Sequence, residues 1–438
     1  MNKMAKKSSR MHLFGSSGIR GVVDREFLQR THEIGLVLGN LYRSVIVGCD
    51  TRTSSDAMKF AFLSGLLAAG AQASDAGVVT TPTLAYASRH FHAGAMITAS
   101  HNPPEYNGIK LLNPDGSAFS SAQREQVEEM LSGKSYSLAH WKEMKKCTAY
   151  PGAIDQHLER VLADFTLKTA LRVVVDCGGG AACLTTPQLL FRLGCGVVTL
   201  HCQPSGYFAR GSEPTRENLA ELRHVVKDTR ANLGIAHDGD ADRVAVIDDK
   251  GRFVPGDKLL AILALEMKAK KVITTSDASM LLDGLGFQVT RTKVGDAFVS
   301  EELSRGGDFG GEPSGCFIFP SVSLCPDSIY AAAKIVQLAA QAKISALIDQ
   351  IPSYPVLRGS IAADREVMAY LKESLREKAS SIDTSDGLKL AFADGWLLIR
   401  SSGTEPKIRI TAEASTKERA RALYDLGAKA IKECLKTQ

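Results

Sequence analysis

No stretch of this chain reaches the length of apolar sequence that a membrane-spanning helix needs. The basic segment Met1–Met11 is not followed by an apolar region of signal-peptide length. It therefore reads as a frayed tail, and the chain as a cytoplasmic protein with no membrane partner. The nine cysteines include no CxxC pair, which argues against zinc and a disulfide framework and for reduced thiols. Excess charge is scarce too: a net +5, with Lys and Arg scattered, forms no basic stripe, so no nucleic-acid partner is expected. The phosphate loop GxxxxGK[ST] is absent. The turn Gly178-Gly179-Gly180 fails the dinucleotide fingerprint, because Cys183 stands where GxGxxG requires its last glycine; the glycines read as close strand–helix packing. No GxSxG elbow surrounds Ser100, which removes a serine hydrolase. What remains is 438 residues with 44% hydrophobic and 23% charged, an ordinary globular composition too long for one domain.

Four polar segments stand between apolar runs. The first, Thr98-Ala99-Ser100-His101-Asn102-Pro103-Pro104, follows the strand-like Ala95-Met96-Ile97 and precedes Tyr106-Asn107-Gly108-Ile109-Lys110. A serine at the mouth of a strand, with His101 beside it and Lys110 nearby, is placed to carry a phosphoryl group. The second is His237-Asp238-Gly239-Asp240-Ala241-Asp242-Arg243, between the strand-like Leu233–Ala236 and Val244–Ile247. Carboxylates at i, i+2 and i+4 can converge on one hard cation and leave positions open for a phosphate oxygen. An EF-hand is ruled out, because Arg243 and Asp249 occupy the places of its glycine and glutamate. Arg243 adds a cationic fork. The third segment, Gly310-Gly311-Glu312-Pro313-Ser314-Gly315, offers an acceptor and a hydroxyl suited to a sugar. The fourth, Arg400-Ser401-Ser402-Gly403-Thr404-Glu405-Pro406-Lys407 with Arg409 beyond, has the hydroxyls, glycine and cations of an anion cradle.

Together with Phe14-Gly15-Ser16-Ser17-Gly18-Ile19-Arg20-Gly21, these segments in this order resemble the alpha-D-phosphohexomutase superfamily over nearly the whole length. The resemblance implies an α/β fold: three successive mixed α/β domains and a smaller C-terminal α+β domain around a central cleft, each giving one loop. Turn-rich stretches at Tyr150–Gly152, Gly251–Gly256 and Pro352–Gly359 set the expected boundaries. These are a phosphoserine-bearing domain at 1–150, a metal-binding domain at 151–252, a sugar-binding domain at 253–357 and a phosphate-binding domain at 358–438. It further implies that Ser100 carries a covalent phosphate and that one Mg²⁺ is held by Ser100, Asp238, Asp240 and Asp242. Arg400, Ser402, Gly403, Thr404 and Arg409 would dock the phosphate of a hexose phosphate, Glu312 and Ser314 its 3- and 4-hydroxyls, with Arg243 and Lys293 as further substrate contacts. Phosphate would move between O6 and O1 through a sugar 1,6-bisphosphate, which is both intermediate and activator. Lys110 is the expected general acid/base, its pKa lowered by burial or by cations such as Arg20; Arg20 and His101 complete the catalytic group.

Two positions depart from the phosphomannomutase/phosphoglucomutase pattern: Asp296 follows Gly295 where that branch has a histidine, and Cys316 follows Gly315. Asp296, Pro313 and the segment Thr81-Pro82-Thr83-Leu84-Ala85-Tyr86-Ala87 resemble archaeal phosphoglucosamine mutases. The expected reaction is therefore interconversion of glucosamine 6-phosphate and glucosamine 1-phosphate, by an intramolecular phosphotransferase. The alternatives are a phosphomannomutase/phosphoglucomutase and, outside catalysis, a phosphosugar-binding regulator. A pure binder has no use for Ser100 and the aspartates together.

Overall fold

The computed structural model describes residues 13–15, 18–363, 367–375, 379–401 and 407–437. The expected tail Met1–Met11, Ser16 and Ser17 of the opening motif, and the cradle residues Ser402, Gly403 and Thr404 lie outside the described residues.

The first sheet runs, in spatial order, Ile19–Val22, Tyr106–Leu112, Ala93–Ile97, Ser44–Cys49, Gln72–Val78 and Cys147–Ala149. Within it, Ser44–Cys49 is parallel to both Gln72–Val78 and Ala93–Ile97, and Ala93–Ile97 turns back antiparallel into Tyr106–Leu112. The second sheet runs Val244–Ile247, Leu233–His237, Arg172–Asp176, Gly196–Leu200. The third runs Phe317–Ile318, Phe309–Gly311, Lys271–Thr275, Gln288–Thr292. Counting from Ser44–Cys49 in the first sheet, all three share the order fourth, third, first, second, with a closing antiparallel hairpin. The first sheet only adds a strand at each edge.

That repeat positions the site. Residues 98–105, 238–243 and 312–316 each occupy the hairpin between third and fourth strands of their sheet. Each of these loops leaves the C-terminal end of a parallel strand, where open α/β sheets gather their ligands. The glycines Gly310 and Gly311, read from sequence as part of a loop, belong to the strand Phe309–Gly311 and pair with Ile318 and Phe317. A side chain at Gly311 would meet the Cys316 carbonyl at 2.5 Å, so only glycine lets the hairpin close.

Helix Ser55–Ala68 is apolar on more than one face. It packs beside helix Arg25–Leu41 against the sheet, and the two helices touch backbone to backbone. A Cβ at Gly65 would stand 2.1 Å from the His32 carbonyl and one at Gly35 2.2 Å from that of Phe62. The second and third sheets are covered by one continuous apolar core running from Leu158 to Ile351. Buried His157 pins three units together: Nδ1 lies 3.0 Å from Thr83 Oγ1 and Nε2 3.0 Å from Asp327 Oδ2. Asp327 also caps helix Ser328–Gln341 through Ile329 N and Tyr330 N.

The C-terminal unit is an antiparallel sheet ordered Val356–Ala362, Lys407–Ala414, Gly395–Ser401, Leu388–Phe392, Ser381–Asp383, backed by helices Val367–Ser374 and Lys417–Thr437. Buried Glu413 joins it to the third unit by accepting hydrogen bonds from Ser279 Oγ, Met280 N and Trp396 Nε1. Among the described residues no single helix is long and apolar enough to cross a membrane.

Candidate active site

Ser100 is buried and has φ +52°, a left-handed conformation that costs a non-glycine residue about 1–3 kcal/mol. The loop is held there by Arg52, which the sequence analysis did not single out. Its fully buried guanidinium donates from Nη2 to the carbonyls of Ser100 (2.7 Å) and Asn102 (2.8 Å) and from Nη1 to those of Pro103 (2.6 Å) and Tyr106 (2.8 Å). Its Nε is paired with Asp50 Oδ2 at 3.0 Å, and Asp50 also accepts from Thr98 Oγ1 at 2.6 Å. The only local signal was the polar run Asp50-Thr51-Arg52 at the end of a buried strand. Ser212, also missed, donates from Oγ to the carbonyls of His101 (2.5 Å) and Asn102 (2.9 Å).

So braced, the Ser100 hydroxyl donates to Asp238 Oδ2 at 2.7 Å, across 138 residues of sequence, and lies 3.2 Å from His101 Nδ1. Asp238, Asp240 and Asp242 are all buried, and their candidate ligand oxygens lie within 4.8 Å of one another. Burial, reinforced by the other two carboxylates, pushes the Asp238 pKa well above the usual range. Burial also works against the Asp242 carboxylate, but Lys110 and Arg243 outweigh it and hold that pKa low. Asp240 Oδ1 and Asp242 Oδ1 are buried without a hydrogen-bond partner among the described residues, a costly arrangement unless a cation completes them. Three oxygen donors with two orphaned atoms fit a hard divalent ion. Thr81 orients the group, donating to Asp240 from Oγ1 to Oδ2 (2.5 Å) and from its backbone N to the carbonyl (2.9 Å).

Lys110 Nζ meets Asp240 Oδ2 at 2.6 Å and Asp242 Oδ2 at 2.5 Å. Burial disfavours its charge, but these two carboxylates outweigh both burial and the repulsion of Arg20, and its pKa lies above the ordinary lysine range. The expected lowering is thus reversed in this arrangement, for the reason that its nearest neighbours are anions. His101 is the group that is lowered, to about 2, by burial and then by Arg243, Arg20 and Lys110; its imidazole is neutral. Arg20 Nη1 donates to Asn102 Oδ1 at 2.8 Å. Arg243 donates from its backbone N to Asp238 Oδ1 (3.1 Å) and from Nη1 to Glu213 Oε1 (3.1 Å), while its buried Nε has no hydrogen-bond partner among the described residues.

The third loop is strapped to the second through the Arg243–Cys316 bridge and the 3.1 Å hydrogen bond from Val244 N to the Gly315 carbonyl. Buried Glu312 accepts from Gly295 N at 2.9 Å, and Ser314 Oγ approaches its other oxygen at 3.5 Å. Burial, with Asp296 and Asp277 adding to it, raises the Glu312 carboxyl to about 8. Lys293 is exposed, its Nζ 5.7 Å from the centre of the Phe298 ring. Lys110, Thr81, Arg124 and Asp296 line one hollow between the first and third units. Arg400 and Arg409 face each other across adjacent strands. Arg400 Nη1 lies 4.0 Å from Asp386 Oδ2, the same carboxylate that accepts from Val294 N at 2.9 Å. The cradle strands are thereby linked to the Lys293–Gly295 loop.

Four domain descriptions of one family match the chain in succession. They are the phosphoglucomutase/phosphomannomutase alpha/beta/alpha domain I at residues 11–137, domain II at 153–251, domain III at 255–354 and the C-terminal domain at 357–428. A protein of Methanocella arvoryzae named "Probable phosphoglucosamine mutase" is 45% identical over 435 residues, covering 97% of this chain and 99% of the relative. A Thermococcus kodakarensis protein named "Phosphoglucomutase/phosphomannomutase" is 41% identical, covering 97% and 99%. Among solved structures, a phosphoglucomutase/phosphomannomutase family protein from Burkholderia thailandensis superposes with a TM-score of 0.86 at 27% identity, covering 96% of this chain and 97% of that one. With the three sheets repeating one topology and all four domains matched in order, the chain belongs to the phosphoglucomutase/phosphomannomutase family, within the alpha-D-phosphohexomutase superfamily.

Proposed function

We propose that this chain is a phosphoglucosamine mutase that interconverts glucosamine 6-phosphate and glucosamine 1-phosphate through a phosphorylated Ser100 and a sugar 1,6-bisphosphate. The observation that carries the reading is the buried Ser100 hydroxyl, fixed 2.7 Å from Asp238 in a loop clamped by Arg52. The expected divisions after residues 150, 252 and 357 then separate a phosphoserine, a metal, a sugar and a phosphate-binding domain.

Asp238, Asp240, Asp242 and an oxygen of the Ser100 phosphate would hold one Mg²⁺, which when bound offsets the charge of a moving phosphoryl group. A free sugar hydroxyl attacks phosphorus, the bond to Ser100 Oγ breaks, and the resulting bisphosphate turns over before it returns its other phosphate to Ser100. Lys110, held as an ammonium by two carboxylates, neutralises phosphate charge, gives a proton to the departing Ser100 oxygen and takes up the one that the attacking hydroxyl loses. Neutral His101 hydrogen-bonds Ser100 without adding charge, and Arg20 holds Asn102 in the same loop. Arg243 and Lys293 contact the substrate, Arg400, Ser402, Gly403, Thr404 and Arg409 dock its phosphate, and Glu312 with Ser314 grips its ring hydroxyls. A carboxyl near its titration point, as Glu312 is, gains from an adjacent ammonium, which supports the amino sugar over a neutral hexose. Free thiols and the absence of a long apolar helix among the described residues fit a cytoplasmic enzyme.

Coupled assays on glucosamine, glucose and mannose 6-phosphates test the reading. One polar contact at C2 gives a preference of roughly ten- to a hundred-fold in kcat/KM for the amino sugar. A value for mannose 6-phosphate equal to or above that for glucosamine 6-phosphate transfers the assignment to phosphomannomutase/phosphoglucomutase, a name carried by the Thermococcus kodakarensis relative. A phosphate on intact wild type that is missing from Ser100→Ala, seen by mass spectrometry, tests the carrier independently of the sugar.

A further inference from the structure

The thiols that look scattered in sequence are not scattered in space. Cys177 follows strand Arg172–Asp176 and Cys202 follows its parallel neighbour Gly196–Leu200, and their sulfurs lie 3.2 Å apart. Cys177 is fully buried, whereas Cys202 is partly exposed. Cys183 also hydrogen-bonds the Cys177 thiol and points its sulfur at the His201 carbonyl at 3.6 Å, so it is the competing partner for Cys177.

Each of the two cysteines stands at the root of a segment that braces the active site. Cys177 leads into Gly178–Gly180; there Ala181 N donates to the Gly239 carbonyl at 2.9 Å, and a Cβ at Gly180 would stand 2.6 Å from that same oxygen. This turn thus supports the peptide between Asp238 and Asp240. Cys202 leads into residues 203–213. In that segment Gly206 lies against the Thr51 carbonyl, the Phe208 ring lies 5.0 Å beneath the Arg52 guanidinium, Ser212 binds the His101 and Asn102 carbonyls, and Glu213 pairs with Arg243. The segment after Cys177 therefore supports the aspartate loop, and the segment after Cys202 supports the Ser100 loop and Arg243.

We propose that Cys177 and Cys202 form a reversible disulfide on exposure to peroxide, and that this bond slows turnover by displacing the two bracing segments. The sulfur of Cys202, the more exposed of the two residues, attacks one peroxide oxygen; the O–O bond breaks and one water leaves, with Cys202 as the sulfenic acid. Cys177 sulfur then attacks Cys202 sulfur, the S–O bond breaks, and hydroxide leaves with the Cys177 proton as a second water. Two thiols lose two electrons and two protons, and the peroxide is reduced to two waters. The contact between the sulfurs holds Cys202 below the ordinary thiol range, while burial raises Cys177, which suits the first as attacker and the second as resolver. Closing the bond requires the sulfurs to approach to about 2.05 Å, and a shift near 1 Å in catalytic positioning can cost up to about a hundredfold in rate.

The test uses the full chain, reduced and then treated with hydrogen peroxide. Non-reducing peptide mapping is expected to find the Cys177–Cys202 link, with kcat lowered about ten- to a hundred-fold and restored by dithiothreitol. Cys202→Ser, and Cys202→Ala as a second variant without an added polar group, should keep the reduced-state activity and resist peroxide; Cys183→Ser should behave as wild type. A Cys177–Cys183 link, oxidation confined to exposed Cys147, or the expected link with unchanged turnover would each overturn the proposal. The peptide link forms whichever sugar is the substrate, whereas failure of the mutase reading shows as inactivity of the reduced wild type.

Discussion

The Ser100 loop is held by four carbonyl contacts from one buried guanidinium, whereas the Glu312 side chain has one backbone hydrogen bond from Gly295 and a 3.5 Å approach from Ser314. Both loops occupy the same hairpin of a repeated sheet, so topology does not explain the difference. The chemistry proposed for each does. A phosphoryl carrier and a metal site depend on fixed geometry, and partners such as Arg52, Thr81 and Ser212 supply it. A grip on ring hydroxyls serves a ligand that binds in two orientations better if its acceptors are not already committed.

The largest break in this comparison comes from Ser100→Ala. With the carrier gone, mutase activity should fall by several orders of magnitude in the coupled assay while sugar phosphate still binds. Near-wild-type turnover would remove Ser100 from the mechanism. Arg52→Lys keeps the charge but cannot reach four carbonyls and Asp50 at once. The loop loosens, kcat should drop about a hundredfold and the melting temperature should fall with it. An unchanged kcat would mean that the clamp supports the fold only.

Thr81→Val removes the hydroxyl that orients Asp240. Groups of this kind contribute about 10–100-fold to metal affinity, so the Mg²⁺ concentration for half-maximal activity should rise by about that factor at little change in saturated kcat. An unaltered metal titration would sever Thr81 from the site. The smallest effect belongs to the looser half. The Glu312 carboxyl is raised from 4.5 to about 8, so folding favours its protonated form. Its contribution is complete below the ordinary value and is lost as pH rises from 4.5 to about 8. Glu312→Gln, which mimics the protonated form, should therefore gain in melting temperature relative to wild type as pH rises through that window. A difference independent of pH would show that the carboxyl does not titrate there.

Loop chemistry was legible because it is local. Ser100 after the apolar Ala95–Ile97, three aspartates at alternate positions and Glu312 between glycines could each be read from a few consecutive residues. The reading failed where a residue's environment comes from far along the chain. Lys110 is flanked in sequence by Ile109 and Leu111, and nothing there announces the two carboxylates more than a hundred residues away that keep it charged. Asp50 and Arg52 looked like the polar end of a strand, since their partners lie 48 to 54 residues onward.

The reaction class followed from the resemblance that the motifs carry; by itself the amino-acid sequence determined where several of the strands run and which loops carry acceptors, hydroxyls and cations. Those properties depend on side-chain periodicity and turn chemistry within a few residues. The tertiary structure decided that three sheets repeat one strand order, that Ser100 meets Asp238, that Lys110 titrates high and His101 low, and that Cys177 touches Cys202. Each of these depends on burial and on charges brought within a few ångströms by chain closure, and neither quantity exists until the units pack.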